Sequence, residues 1–447
     1  MAQVELHYAS AYAQRLLADL GAAASLGAPP AETHPALRWA RSGNMALTGY
    51  PDGVAQMCPV PLASYADGIV RALAALSPGS PLQELDGARL LAERAALLGY
   101  GRAGQAAPGG SCRFMRAADG WLALNLARES DWVLLPAWLE AGPMREWSEV
   151  ATALEGRAVA AAVQRGRLLG LPVAPLESPR RRGLWCAEHV RSEGVRRARS
   201  RTPLVLDLSA LWAGPLCTHL LQMMGARVVK VESRARPDGM RRAAGGFYDL
   251  LNAGKQSVAL DLDLPGGRAQ LRALIAQADI VVEASRPRAL RQLGIVAEEI
   301  LTAHPGLTWI ALSGYGRSEP AAGWVAFGDD AAVAGGLSQV LWNCSGRSMF
   351  CGDAIADPLT GLHAALAAWV TFSQGGGRLL SLALSEVVAY GVHCAALPDV
   401  AAERARYAEW AGRVGPADIA APQARVLTAR ARDLGADTAQ VLREFAC

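Results

Sequence analysis

Two aspartates stand just ahead of an apolar, alanine-rich run: Asp353, in Cys351-Gly-Asp353, and Asp357, in Ala356-Asp-Pro-Leu-Thr-Gly-Leu-His-Ala-Ala-Leu366. A carboxylate placed there has two uses. It can cap the helix that Pro358–Thr371 spells, which is worth about 1 kcal/mol. Held ionised, it can also attack an activated acyl group as a nucleophile. Asp357 precedes Pro358 at the N-cap position, where both uses are compatible. A second acidic pair, Asp329 and Asp330 in Phe327-Gly-Asp-Asp330, suits two turn residues. His363 lies on the apolar run, where a satisfied core histidine is the ordinary case. Arg286 and Arg288 can meet phosphates through their guanidinium forks, and Lys230, Lys255 and Arg234 belong to the same strand ends.

The stretch that must position these groups is Leu204–Glu232, which reads as one βαβ unit. Leu204–Leu208 is an aliphatic run suited to a buried parallel strand. Gly214 and Pro215 open a short apolar helix, Leu216–Met224, and Gly225 stops it. Val228–Val231 is the next strand, followed by Glu232. Strand and helix patterns then alternate: Val258–Leu262, Gly266–Gln277, Ile280–Glu283, Ala289–Gly294, Leu307–Ser313, Pro358–Thr371, Leu379–Leu384. The alternation implies an α/β fold with a doubly wound, mainly parallel sheet over 203–394. The dinucleotide fingerprint G-x-G-x-x-G is missing, so the unit implies a nucleotide-like ligand at the strand ends without implying a nicotinamide.

Upstream, 1–176 reads as helices (Tyr8–Leu20, Leu62–Leu76, Gly87–Leu98) followed by a smaller α+β domain. That domain opens on a hairpin over Cys112–Leu126 with its turn at Ala118-Asp-Gly120. Residues 177–202 carry eight arginines (Arg180, Arg181, Arg182, Arg191, Arg196, Arg197, Arg199, Arg201) and read as a solvated linker rather than a nucleic-acid patch, since only Trp185 could stack a base. Residues 395–447 are read as a polar helical tail packing back on the large domain. No short-period repeat stands out. A net charge of +3 on 447 residues is too small to argue for nucleic acid. The eight cysteines form no C-x-x-C pair and no zinc spacing, so no metal is expected and reduced thiols in a cytoplasm are. The N-terminus shows no basic and apolar leader pattern, and no membrane span is expected.

In order and spacing, Val205-Leu-Asp-Leu-Ser, Ala213-Gly-Pro215, Gly225-Ala-Arg-Val-Val-Lys-Val-Glu232, Asn252–Leu262, Ala278-Asp-Ile-Val-Val-Glu283 with Arg286-Pro287, and Gly352–Ala368 resemble the family III CoA-transferases, which include formyl-CoA transferase, carnitine CoA-transferases and the α-methylacyl-CoA racemases. The resemblance implies coenzyme A as part of the substrate, with contacts at Leu211, Trp212, Leu260, Arg286 and Ala289. It implies a nucleophilic aspartate at Asp357, four residues before Gly361, with Asp353 as the competitor. It also implies an acyl-CoA and a small carboxylic acid as partners, and a homodimer. Asp263 and Gln292 replace basic residues usual in the family. No histidine occupies the position of Asp329, which argues against a racemase. Gly375-Gly-Gly377 resembles the family's mobile glycine loop. Phe114–Leu126 and Gly170–Leu176 resemble the family's small domain, which normally follows the large one. The chain therefore reads as rearranged, either as a permuted unit or as the remnant of a tandem double-domain protein. A non-catalytic, CoA-transferase-like subunit is the alternative outside enzymes.

Overall fold

The computed structural model describes residues 7–22, 26, 32–178, 184–192, 194 and 202–446. Seven of the arginines between 177 and 202 lie outside the described residues, and Arg191 alone is inside, on a short edge strand.

The strands follow the period-2 logic of a sheet buried on both faces. Three short strands, β1 (Cys112–Ala117), β2 (Gly120–Asn125) and β3 (Val173–Pro175), form a small antiparallel sheet. The large sheet has seven: β4 (Ala187–Arg191), β5 (Leu204–Leu208), β6 (Arg227–Ser233), β7 (Gln256–Leu260), β8 (Ile280–Glu283), β9 (Thr308–Ser313) and β10 (Arg378–Ala383). Their spatial order is β4-β10-β9-β8-β5-β6-β7. All pairs are parallel except β4 with β10. From β5 onward this is the doubly wound order 3-2-1-4-5-6, whose direction of winding reverses between β5 and β8. Alternate residues go to opposite layers: Val205 faces the core under the Ala213–Met223 helix, while Leu204 and Leu206 face the Pro265–Gln277 helix.

The edge strand β7 is covered by chain from the far C-terminal end. Ser257 N donates to Asp437 Oδ2 (2.8 Å) and Ala259 N to Thr438 Oγ1 (3.0 Å), which satisfies donors that an open edge would expose. The tail is less helical than its composition implies: after the Val400–Gly412 helix, 419–434 contains neither helix nor strand.

The grouping of 1–176 is cut differently by the packing. Tyr12, Leu16, Ile69 and Leu73 share one core with Leu216, Leu362 and Leu366, whereas Leu122, Trp138, Val150 and Val173 form the separate core of the small sheet. The Tyr8–Asp19 and Leu62–Leu76 helices therefore belong to the helical layer of the large sheet. The reason is the apolar Ala356–Ser373 helix, which is buried almost all round and needs partners on both sides.

Candidate active site

The reversal between β5 and β8 leaves a crevice at the carboxyl ends of the strands, where open α/β sheets bind ligands. A cavity of about 300 Å³ occupies it. Its walls are the turn after β5 (Ala210, Leu211), the turn after β8 (Ser285, Arg286), the end of β9 (Ser313, Gly314) and Asp357. Three residues read from the sequence thus come together here: Leu211, Arg286 and Asp357. Trp212 is buried below, edge-on to Phe247 (5.1 Å between centroids). Leu260 is buried at the carboxyl end of β7, the edge strand two places from β5. Ala289 lies on the Pro287–Gln292 helix that follows Arg286.

A buried polar network fixes the β5 turn. Asp207 accepts from Ser209 Oγ (2.5 Å), Thr218 Oγ1 (2.7 Å) and Lys255 Nζ (3.0 Å). Burial alone would raise its pKa, but Lys230 and Lys255 hold the carboxyl well below the usual range. Lys230 Nζ donates to Ser209 O (2.8 Å) and pairs with Asp238 (3.1 Å). Asp238 in turn accepts from Leu211 N (3.1 Å). This tether holds Leu211 at φ +70°, a backbone region that costs a non-glycine residue roughly 1–2 kcal/mol, and leaves its side chain 38% exposed toward the crevice. Lys230 and Lys255 are saturated structural cations, not phosphate ligands.

Four carboxylates gather at the floor, and one guanidinium stands among them. Asp353 is fully buried in a two-pronged pair with Arg94 (2.6 and 2.9 Å). Asp329 accepts from Ala354 N (2.8 Å). Asp330 accepts from Phe327 N (2.9 Å) and Asn125 Nδ2 (3.0 Å). Asp357 alone of the four lines the cavity. It is not an N-cap: the helix begins one residue earlier, at Ala356, with Ile355 as its cap. The carboxylate instead lies against Gly328 of the neighbouring Gly328–Ala334 helix, whose backbone N–H favours its ionised form. One positive charge cannot balance four negative ones in a buried site, so Asp329, Asp330 and Asp357 move upward. Burial lifts Asp357 to about 6, opposed by Arg94. Burial and then Asp353 lift Asp329 to about 7, and burial lifts Asp330 to about 7.

These raised values set a pH dependence of stability. The folded chain holds protons at Asp329, Asp330 and Asp357 that the unfolded chain, with carboxyls near 4, releases. The stabilising contribution is complete below about pH 4 and lost as pH rises through about 6–7. Asp330→Asn keeps both hydrogen bonds to Oδ1 and removes the charge from Oδ2, which is buried and has no partner among the described residues. The melting temperature of that variant is expected to fall less than wild type's between pH 5 and pH 8. Parallel thermal scans at the two pH values check this.

The crevice mouth is cationic. Arg286 and Arg128 line it, and burial and then the charges of Arg288, Arg128 and Arg236 lower the pKa of Arg286. Arg128 comes from the small sheet's side of the molecule, just after β2, and its guanidinium lies over the Phe327 ring (5.8 Å). Sequence reading missed Arg94, Asn125 and Arg128. Arg94 and Asn125 find their partners more than 200 residues away, and Arg128, paired locally with Asp131, reaches the crevice only through the fold.

Two other readings change. Gly375–Gly377 lies at the amino end of β10, at the opposite end of the sheet from Asp357, and the backbone of 305–307 packs against it. It is a tight turn, with all three residues at positive φ, and no cover for the site. His363 is a satisfied core residue: its Nε2 meets Tyr12 Oη (2.8 Å), its Nδ1 meets Leu359 O (2.7 Å), and burial lowers its pKa to about 4. Among the described residues there is no cluster of His, Cys, Asp and Glu that could hold a metal, and no helix long and apolar enough to cross a membrane.

The fold and the crevice define a doubly wound nucleotide-type domain with buried carboxylates behind a cationic mouth. The sequence model described as CoA-transferase family III matches residues 203–432, just over half of the chain, and the chain belongs to that family. Among curated relatives, it is 33% identical over 195 residues to a succinyl-CoA–D-citramalate CoA-transferase of Chloroflexus aurantiacus, covering 41% of this chain and 48% of that one. It is 30% identical over 195 residues to a formyl-CoA:oxalate CoA-transferase of Afipia carboxidovorans, covering 41% and 46%. The chain thus spans about half the length of the curated relatives it matches. Among solved structures, a hypothetical protein of Mycobacterium tuberculosis, Rv3272, is 27% identical, with a TM-score of 0.39 over 43% of this chain and 56% of that one.

Proposed function

We propose that the chain moves coenzyme A between an acyl-CoA and a carboxylic acid, with Asp357 as the nucleophile. The observation that carries the reading is that Asp357 faces the switch-point crevice while its rival, Asp353, is closed off in an ion pair with Arg94. A carboxylate oxygen of Asp357 attacks the thioester carbonyl, and the C–S bond breaks to give a mixed anhydride and CoA thiolate. The thiolate then attacks the aspartyl carbonyl and releases the donor acid, leaving an aspartyl-CoA thioester. The acceptor carboxylate repeats the two steps in reverse. Four easier acyl transfers thereby replace one difficult exchange. The Gly328 N–H beside Asp357 is placed to stabilise charge on the aspartyl oxygen. The CoA phosphates fit the mouth lined by Arg286 and Arg128, and the names of the relatives, CoA-transferases of dicarboxylic and oxalic acids, suit an anionic acceptor.

Two outcomes follow. The attacking group must be ionised, so kcat/KM is expected to fall about tenfold per pH unit below about pH 6 and to level off above it, read from a pH–rate profile. Arg286→Glu is expected to weaken CoA binding by about tenfold or more at low salt, with a smaller loss at high salt, because charge-assisted hydrogen bonds are worth about 1.5–3 kcal/mol. Titration calorimetry at two ionic strengths reads both. The reading itself is tested by incubating the protein with succinyl-, formyl- and acetyl-CoA and isotopically labelled free acids. Label entering the CoA thioester supports it, and no exchange with any donor in protein that still binds CoA contradicts it.

A further inference from the structure

The N-terminal helices repeat the layer that carries the site. Gly68 and Gly361 are separated by 293 positions (361 less 68), and that offset maps residues 35–76 onto 328–369 and the Glu93–Leu98 helix into the Leu384–Cys394 helix, while between them the Gly87–Leu90 helix falls on strand β10 and is not repeated. The Pro35–Arg41 helix falls on the Gly328–Ala334 helix, and both have seven residues. The left-handed glycine Gly43 (φ +88°) falls on Gly336 (φ +83°). The Leu62–Leu76 helix falls on the Ala356–Ser373 helix, and Glu93 falls on Glu386.

A second segment matches at its own offset. Tyr8–Asp19 pairs with Ala213–Met223, and both end alike: Gly21 and Gly225 are left-handed, and the next N–H groups close the same bond, Ala22 N to Leu17 O (2.8 Å) and Ala226 N to Leu221 O (3.0 Å). The tertiary contact repeats too. A Cβ on Gly361 would come within 2.7 Å of Ala213 O, and a Cβ on Gly68 would overlap Ala9 O, the residue matching Ala213. The two copies face each other. Cys58 and Cys351, equivalent by the offset, are buried in one core, close enough for Cys58 to raise the Cys351 thiol's pKa, as equivalent residues are when they sit on a two-fold axis.

The copies differ at the chemistry. Ala36, Leu37, Val60 and Ser64 stand where Asp329, Asp330, Asp353 and Asp357 stand. Arg94, the cation that pairs with Asp353, has Val387 as its equivalent. The acid and its guanidinium are therefore both absent from one side, and on the other they reach across the axis to each other.

We infer that residues 8–98 are a disarmed second copy of the site-bearing layer, and that its remaining task is to deliver Arg94 across the internal two-fold as the positioning residue for the carboxylates of the armed copy. The inference rests on the reading of Asp357 as nucleophile. Arg94 is faced by Asp353, Asp329, Asp357 and the Trp212 ring (5.2 Å). Its charge favours ionisation of Asp329 and Asp357, so it sets how much Asp357 is charged at a given pH.

The test compares Arg94→Met, Arg94→Lys and the double variant Arg94→Met/Asp353→Asn, which removes both members of the buried ion pair, in pH profiles of CoA exchange. Arg94→Met is expected to shift the acidic limb upward by about one pH unit, which is about a tenfold loss below the limb and little loss well above it. Arg94→Lys is expected to restore most of the limb, and the double variant to fold and lie between. An Arg94→Met limb coincident with wild type, or a loss equal at every pH in both Arg94→Met and the double variant, overturns the positioning role. In the same protein, mass spectrometry after incubation with acyl-CoA is expected to show one labelled site per chain, and label on the 62–76 peptide would overturn the disarmed copy. Full activity in Asp357→Ala would instead defeat the nucleophile reading, whatever Arg94 does.

Discussion

Asp357→Ala is expected to lower turnover by about 10³-fold or more while leaving CoA affinity within about threefold of wild type. The split follows from geometry. Asp357 sits at the floor of the crevice, and the groups available to hold an anionic nucleotide, Arg286 and Arg128, sit at its mouth. Removing the floor carboxylate takes away a group that acts on the reacting carbonyl and leaves the cations in place. The fold should not suffer, because a carboxyl lifted to about 6 by burial is costly to keep ionised at neutral pH. Asp353→Asn should behave in the opposite way. It strips Arg94 of its two-pronged partner in a buried place, so the measurable loss is in melting temperature, on the order of 3 kcal/mol. Steady-state kinetics, calorimetry with CoA and thermal scans on the two variants separate the roles.

Gly328→Ala is the second large effect. A methyl group there would overlap the carbonyl oxygen of Ala354 and a carboxylate oxygen of Asp357. Ala354 cannot give way, since it is buried at φ +41° and its own N–H is tied to Asp329. The carboxylate must therefore move, and misplacing a reacting group by about 1 Å can cost about 10²-fold in rate. Overpacking adds about 1–3 kcal/mol of destabilisation. Gly266→Ala, where a Cβ would meet nothing within 4 Å on the Pro265–Gln277 helix, is the control and is expected to be neutral or slightly stabilising.

The sequence made the sheet legible because its strands are short aliphatic runs between glycine and proline punctuation. Ile280–Glu283 and Leu204–Leu208 fall where periodicity puts them, and Gly225 ends its helix through a left-handed turn. Asp357, Leu211 and Arg286 were legible through local pattern and family resemblance. Arg94 was not, because an arginine inside Glu93–Leu98 looks like any exposed helical residue until its partner 259 positions away is known. Gly375–Gly377 misled for the converse reason: three glycines mark positive φ but do not say at which end of the sheet the turn lies. The internal copy is faint in the sequence, which points no further than to the remnant of a tandem protein, because Ala36, Leu37, Val60 and Ser64 stand in place of its acids and only glycines and small apolar residues carry the match.

The central claim is a covalent intermediate on Asp357. The most direct measurement is to incubate the intact protein with a panel of acyl-CoAs, quench with hydroxylamine or borohydride, digest, and locate the modified residue by mass spectrometry. The account predicts a hydroxamate or a reduced side chain at Asp357, and none in Asp357→Ala. Modification of Asp353 instead, or an unmodified Asp357 in protein that demonstrably exchanges CoA, would contradict it.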